Sequence, residues 1–351
     1  MALDTPRPDF TSLGELNVVS NPTGGHASPS EVMYPGGAQV DGGLLAPGDP
    51  IPENAGPGGR RPAWLKVRLG AGSTYADTKR VLRAESLNTV CEEARCPNIG
   101  ECWALGTATF MILGSVCTRN CGFCAIDTGR PPITDHDEPR RVAEATKLLK
   151  LQHVVITMVA RDDLPDGGAR MVAETIRQIR LKNPGTSIEV LISDLNGRPD
   201  DIRTVVEAQP DILNHNVETV PRLQKPVRRR ARWDRSVSVL THGRQVATEI
   251  GFNDMVTKTG MMLGLGETWD EVVGAMRLLR EADVDVLTIG QYLRPSRQHL
   301  PLVKYYTPAE FMSLRRIGLE MGFKHVQSGP LVRSSYHAAE QVPGRDTAAA
   351  V

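Results

Sequence analysis

All six cysteines of this 351-residue chain fall between Cys91 and Cys124, in the stretch CEEARCPNIGECWALGTATFMILGSVCTRNCGFC. They form two triplets. Cys91, Cys96 and Cys102 have the spacing C-x4-C-x5-C, and Cys117, Cys121 and Cys124 have the spacing C-x3-C-x2-C. Thiolates are soft ligands that suit iron–sulfur clusters, zinc or copper(I). A structural zinc closes its shell with four donors, and the second triplet has no histidine close by in sequence. Three thiolates on a cubic [4Fe–4S] cluster leave one iron open to a substrate or cofactor. Buried structural cysteines, or a zinc completed from elsewhere in the chain, are the alternatives that spacing alone leaves standing.

Clustered thiols act as ligands where the compartment is reducing. The N-terminus shows no basic region followed by an apolar one, so no signal peptide is expected and a cytoplasmic setting is. No apolar run is long enough to cross a bilayer, and Lys plus Arg balance Asp plus Glu at 41 each. Net charge therefore points to neither nucleic acid nor membrane as a partner. Residues 1–60 hold 11 Gly and 9 Pro with few large apolar side chains. Such a segment cannot offset its ordering entropy by burial and is expected to be disordered. Its seven acidic residues against two Arg argue against a transit peptide.

Order is expected from Arg61, with Trp64 gripping the body of the protein and a helical pattern over 74–90. An N-terminal extension, 61–106, then carries the first triplet. From Thr107 the pattern alternates between short apolar, β-branched runs and amphipathic stretches. Strands are expected at 107–113, 154–160, 187–193, 212–218, 256–263 and 284–290. Helices are expected near 139–151, 168–182, 200–209, 233–249, 269–281 and 307–321. Six β/α units with continuously apolar strands predict an α/β fold, a parallel sheet covered by helices. Six units fall short of a full TIM barrel, so a partial (β/α)6 barrel over 107–322 is expected, with N- and C-terminal extensions. A doubly wound sheet has the same periodicity. In the C-terminal segment 323–351, residues 325–338 read as too polar and irregular for another β/α unit and are followed by a small, flexible tail. Cys117, Cys121 and Cys124 would follow the first strand, at the end of the sheet where chemistry collects in parallel folds.

The C-x3-C-x2-C motif with Phe123 before its last cysteine resembles the signature of the radical S-adenosylmethionine (SAM) superfamily, whose fold is also a partial (β/α)6 barrel. TVCEEARCPN, ECW, VITMVARDDLPDGGA, HNVETVPRL, GLGET, GQYLRPSRQHLP and GPLVRSSYHA extend the likeness. In that order they resemble the lipoyl synthase family over roughly 61–338. The resemblance implies two [4Fe–4S] clusters and SAM. One cluster, on Cys117, Cys121 and Cys124, would initiate the radical. The other, auxiliary, on Cys91, Cys96 and Cys102, would donate sulfur to C6 and C8 of an octanoyl chain on a carrier-protein lysine. A serine of the segment Arg333–Tyr336 would be the auxiliary cluster's fourth ligand, with Ser335 preferred to Ser334.

The resemblance also places Asn216 and Glu218 at the ribose and methionine moieties of SAM, and Gly264, Gly266 and Glu267 at its adenine. A plain βα turn would explain the glycines equally. Arg161, Asp162 and Asp163 read either as cofactor contacts or as loop salt bridges. Implied partners are octanoylated carrier domains (2-oxoacid dehydrogenase E2 subunits and the glycine-cleavage H protein), an electron donor such as ferredoxin or flavodoxin, and a carrier that rebuilds the spent cluster. Residues 222–235 hold seven Lys/Arg against one Asp. They read either as a solvated loop or as a docking patch for an acidic carrier through Arg228, Arg229 and Arg230. A nucleic-acid module with two structural zincs conflicts with the neutral charge and the β/α pattern. A radical enzyme thiolating RNA or protein would not combine CEEARCPN with RSSY.

Overall fold

The computed structural model describes residues 61–66, 73–104 and 109–341. The segment 1–60, residues 342–351 and the first two residues of the expected strand at 107 lie outside them. The chain begins with α1 (Ser73–Ala84), β1 (Asn88–Thr89), α2 (Val90–Glu93) and α3 (Ile99–Ala104). Next come β2 (Thr109–Ile112) and a small pair, β3 (Val116–Cys117) and β4 (Asp127–Thr128). The alternating part runs α4 (Glu138–Leu148), β5 (His153–Met158), α5 (Ala169–Lys182), β6 (Ser187–Leu191), α6 (Pro199–Val206), β7 (Ile212–Asn214) and α7 (Gln224–Val227). It continues with α8 (Trp233–Glu249), β8 (Val256–Leu263), α9 (Trp269–Glu281), β9 (Val286–Gln291), α10 (Pro308–Glu320) and β10 (His325–Gly329).

Eight strands make one sheet in the order β1-β2-β5-β6-β7-β8-β9-β10. From β2 onward every neighbouring pair is parallel, and β1 is antiparallel to β2. Among the described residues β1 and β10 are free edges, so the sheet is open, in agreement with the expected partial barrel. Local chemistry sets the helix starts. Thr268 with Glu271, and Thr307 with Glu310, form reciprocal capping boxes that satisfy orphan N–H groups at the heads of α9 and α10.

Two expectations are corrected. The helix expected over 74–90 ends at Ala84, because Ser86 takes a left-handed φ of 52°. Asn88 and Thr89 instead pair with Met111 and Phe110 of β2. The segment from His325 is not irregular: His325–Gly329 pairs in register with Val286–Gly290, which makes β10 a seventh parallel strand and α10 the sixth crossover. Its sequence, HVQSG, hid the strand because an edge strand is covered less completely than a central one. Only Val326 and Gly329 are buried in it, and the backbone ladder to β9 carries the pairing.

The two faces of the sheet differ. Met261 and Leu263 of β8 pack with Val272 and Met276 of α9 on the helix side. Their alternate neighbours Val256, Lys258 and Gly260 line the inner face. At the floor Ile212, Val256 and Val286 form an apolar plug. Above it Lys258 donates to Glu189 at 2.9 Å, with both side chains wholly buried. Asn214 donates to the other Glu189 oxygen at 2.7 Å. Burial resists the charge on Glu189, but Lys258 outweighs it and holds the carboxyl at about 2. Removing one partner strands the other charge. Lys258→Met is therefore expected to cost about 3–5 kcal/mol in denaturant titration. Lys258→Met combined with Glu189→Leu is expected to recover most of that loss. A single variant as stable as the parent would show that the pair does not organise the floor.

Candidate metal centres

The first triplet is gathered by the N-terminal extension. Thr89 Oγ1 accepts from the Cys91 amide at 3.2 Å and donates to the Thr109 carbonyl at 2.9 Å, which fixes α2 against the edge of β2. The Cys96 amide donates to the Cys91 carbonyl at 3.0 Å, and the Cys102 amide to the Asn98 carbonyl at 2.9 Å. The three cysteines line one cavity with Asn98, Thr109, Arg333, Ser335 and Tyr336. Three of these eight residues therefore come from the other end of the chain. Asn98 Nδ2 donates to the Leu331 carbonyl at 2.7 Å. Glu101 accepts from the Tyr336 hydroxyl at 3.1 Å and lies 3.3 Å from His337 Nε2. That His337 contact holds the Glu101 carboxyl below its ordinary range and, reciprocally, raises the imidazole.

The two serines have separate surroundings. Ser335 faces the cysteine cavity. Ser334 faces the barrel, where Asn216 Nδ2 donates to its hydroxyl at 3.0 Å and that hydroxyl lies 3.1 Å from Asn216 Oδ1. Arg333, between the cavity and the barrel, is within electrostatic reach of both Cys96 and Glu218.

The donor set suits an iron–sulfur cluster. Burial, then neighbouring thiols, push Cys96 and Cys102 above the ordinary thiol range, so bare thiols here stay protonated at neutral pH. A cationic metal core is what would draw their protons off. Among the described residues no three His, Cys, Asp or Glu side chains close around a single ion. The donors border a cavity instead.

The second triplet sits on the loop between β3 and β4, whose strands pair Cys117 with Thr128. Three segments grip that loop. Thr118 donates through its amide and its hydroxyl to the Ala160 carbonyl, at 3.0 and 2.9 Å. The Gly122 amide donates to the Val227 carbonyl at 3.0 Å, and the Leu300 amide to the Gly122 carbonyl at 2.8 Å. His299 Nε2 lies 2.9 Å from the Cys124 carbonyl. A Cβ on residue 122 would come within 2.8 Å of Leu300, so the glycine permits the close approach. Burial pushes the Cys121 thiol up to about 11 and Cys124 to about 12. The same argument for a metal core applies here.

Asn216 donates to Glu218 at 3.2 Å. Glu218 is bridged to β8 at Met261 and takes a left-handed φ of 65°. Burial pushes its carboxyl up, against the pull of Arg228. Gly260 has no room for a Cβ, which would lie 2.6 Å from Thr288 Oγ1 and 2.8 Å from Asn216 Oδ1. Gly264 and Gly266 take φ of 110° and 104°, open only to residues without a Cβ clash. Both Glu267 oxygens are taken by its own loop, from the amides of Gly264 at 2.5 Å and Leu265 at 3.0 Å. That side chain acts by shaping the loop.

Arg161 and Asp163 pair with each other at 2.9 Å. Asp162 pairs with Arg119 at 2.7 Å, and Arg119 also pairs with Asp194 at 2.7 Å. These are loop salt bridges. Sequence reasoning passed over Arg119 and Asp194, which no spacing marks.

Arg228 is a correction. It is only 7% exposed and donates to Ser236 at 3.0 Å and to the Val217 carbonyl at 3.2 Å. It faces Glu218 and Cys121 and does not belong to a surface patch. Its place at the head of the run Arg228–Arg230 gave no hint of burial.

A profile of the Radical SAM superfamily matches residues 111–279. One for the N-terminal domain of lipoyl synthase of the Radical SAM family matches residues 51–96. With the open parallel sheet and its C-x3-C-x2-C loop, the class is that of a radical SAM enzyme, which uses SAM and a [4Fe–4S] cluster. The lipoyl synthase of Rubrobacter xylanophilus is 58% identical over 281 residues, 80% of this chain and 86% of that one. That of Bacillus cytotoxicus is 55% identical over 284 residues, 81% of this chain and 94% of that one. This chain belongs to the lipoyl synthase family, and it is a sulfur-inserting enzyme. Among solved structures, methylornithine synthase is similar at 16% identity and a TM-score of 0.49, covering 73% of this chain and 76% of that one.

Hydrogen bonds to a charged, buried group contribute about 1.5–3 kcal/mol. Arg228→Gln is therefore expected to slow reductive SAM cleavage by roughly tenfold or more with dithionite as reductant. Arg229→Gln is expected to leave it within about twofold, since surface changes have small effects. Equal rates for both variants, read as 5′-deoxyadenosine formed per minute, would return Arg228 to the surface.

Proposed function

We propose that this enzyme inserts two sulfur atoms, at C6 and C8 of an octanoyl chain carried on a lysine of a lipoyl-carrier protein. Cys91, Cys96, Cys102 and Ser335 hold an auxiliary [4Fe–4S] cluster. Cys117, Cys121 and Cys124 hold the cluster that works with SAM. The observation that carries this reading is the composite cavity, in which three cysteines from the N-terminal extension share one wall with Ser335. When bound, the group on the first triplet would supply sulfide, and the group on the second would supply the one electron that splits SAM into methionine and the 5′-deoxyadenosyl fragment that takes a hydrogen atom from the octanoyl chain.

The residues of the chain bind and orient. Asn216 and Glu218 present an amide and a carboxyl, respectively, to the ribose and methionine moieties. The backbone of Gly264 and Gly266 offers a close edge for the adenine. Ser334, held by Asn216, ties the segment of the auxiliary ligand to the SAM side and so helps fix the distance between the two sites. Fixing sulfide donor and radical source in one frame avoids a diffusing sulfur species. Carrier domains of 2-oxoacid dehydrogenase E2 subunits and glycine-cleavage H protein fit this chemistry, and so does a cytoplasmic site of action. Among the described residues no helix is long and apolar enough to cross a membrane.

A serine oxygen is a hard and uncommon ligand for iron, where thiolate is usual. It makes one corner of the auxiliary cluster easier to lose. Ser335→Cys is expected to assemble its iron and sulfide normally, and to lose at least tenfold in lipoyl product while still cleaving SAM. Full double sulfur insertion by this variant, read by mass spectrometry of an octanoyl-lysyl peptide, would refute the assignment.

A further inference from the structure

The chain is neutral overall, with 41 cationic and 41 anionic side chains, yet two of the three segments gripping the radical-cluster loop are not, while in the third, at Ala160, Asp162 and Asp163 are paired with Arg119 and Arg161. Residues 221–232 and 292–304 together contain nine Lys/Arg and no Asp or Glu. The first segment carries Val227, whose carbonyl accepts from Gly122, and the second carries His299, which lies against the Cys124 carbonyl. Several of these cations are spent within the fold. Arg222 pairs with Glu271, Arg232 with Asp234 and Lys304 with Glu310. Arg228 is internal, and Arg230 lies 3.8 Å from Asp162. Arg294 is exposed but turned to the carbonyls of Arg297 and His299, and Lys225, Arg229 and Arg297 are exposed and make no ion pair among the described residues. Lys225 and Arg229 stand two residues either side of Val227, and Arg297 two residues before His299. Where the loop ends, Asp127 of β4 and Arg130 just beyond it are exposed and offset one another in charge.

We infer that this cationic collar is the docking surface for an acidic one-electron carrier protein, a low-potential flavoprotein or iron–sulfur protein. In the encounter one electron leaves the donor and enters the group held by Cys117, Cys121 and Cys124; no bond forms or breaks. The inference rests on the reading of that loop as a cluster site. Charge complementarity selects an acidic partner, and position selects the electron donor over the octanoylated carrier. The collar belongs to segments hydrogen-bonded to the radical triplet, and neither segment lines the cavity of Cys91, Cys96, Cys102 and Ser335. Electrostatic steering of this kind raises association rates about 10- to 1,000-fold and falls steeply with ionic strength.

The test uses the cluster-loaded enzyme with Lys225→Glu, Arg229→Glu and Arg297→Glu combined, and reduced flavodoxin as the probe. Stopped-flow bleaching of the iron–sulfur absorbance reads the electron transfer. The triple variant is expected to accept electrons from flavodoxin at least tenfold more slowly at low salt, and to lose the salt dependence of the parent. With dithionite, its SAM cleavage and its KM for an octanoylated carrier protein are expected to match the parent within about twofold. An unchanged flavodoxin rate and salt slope would overturn the inference. So would a raised carrier KM under dithionite with the flavodoxin rate unchanged, which would hand the collar to the carrier. Failure of the parent enzyme to cleave SAM with dithionite would instead remove the cluster reading beneath it, a result distinct from either.

Discussion

The clasp between the two ends of the described chain is the contact on which the rest depends. Asn98 reaches the Leu331 carbonyl, and Glu101 reaches Tyr336 and His337. Ser334 meets Asn216 inside the barrel. Without these contacts the first triplet is an open bay of three thiols beside an edge strand. With them, Ser335 and Arg333 complete the cavity, and the cavity acquires a fixed relation to Asn216 and Glu218. Closing a loop of more than two hundred residues is costly in chain entropy only logarithmically. What specifies the closure is β10, which docks on β9 immediately before the segment turns inward.

Small residues on the inner face make room for that turn. A side chain at Gly290 would collide with the Val332 carbonyl oxygen, and one at Gly260 with Asn216 and Thr288. The mouth of the sheet is thus left bare where the C-terminal segment meets Asn216 and Thr288. The floor is filled instead, by the Lys258–Glu189–Asn214 network above its apolar plug. One inner face serves two ends: a buried ionic layer that rigidifies the base, and glycine windows that admit chemistry at the top.

Much of this was legible in the residues. The two cysteine spacings separated the thiols into the two groups that the fold places in separate surroundings, and continuous apolar runs such as HVVITM and VLTIGQ marked central parallel strands, because such strands are buried on both faces. Edge strands were not legible: HVQSG carries a single large apolar side chain, and Asn88–Thr89 continues a helical pattern. Ser335 was reached only through the likeness of RSSY to a family, since no local rule points a serine at a cavity more than two hundred residues away. The arginine run 228–230 shows the opposite failure. Its charge is plain, but periodicity does not say that Arg228 turns inward to Val217 and Ser236 while Arg229 stays outside. The Arg119–Asp194 pair escaped for a similar reason, because its members are brought together only by the fold.

The central claim is that one short stretch of sequence serves two separate clusters, one of them completed by the C-terminal segment. The most direct measurement is the iron and acid-labile sulfide content of anaerobically isolated protein, beside a variant with Cys91, Cys96 and Cys102 all changed to Ala. Two cubic clusters predict about eight irons per chain in the parent and about four in the variant, which should still bleach with dithionite. Equal iron in both proteins, or a colourless parent containing zinc, would contradict the account.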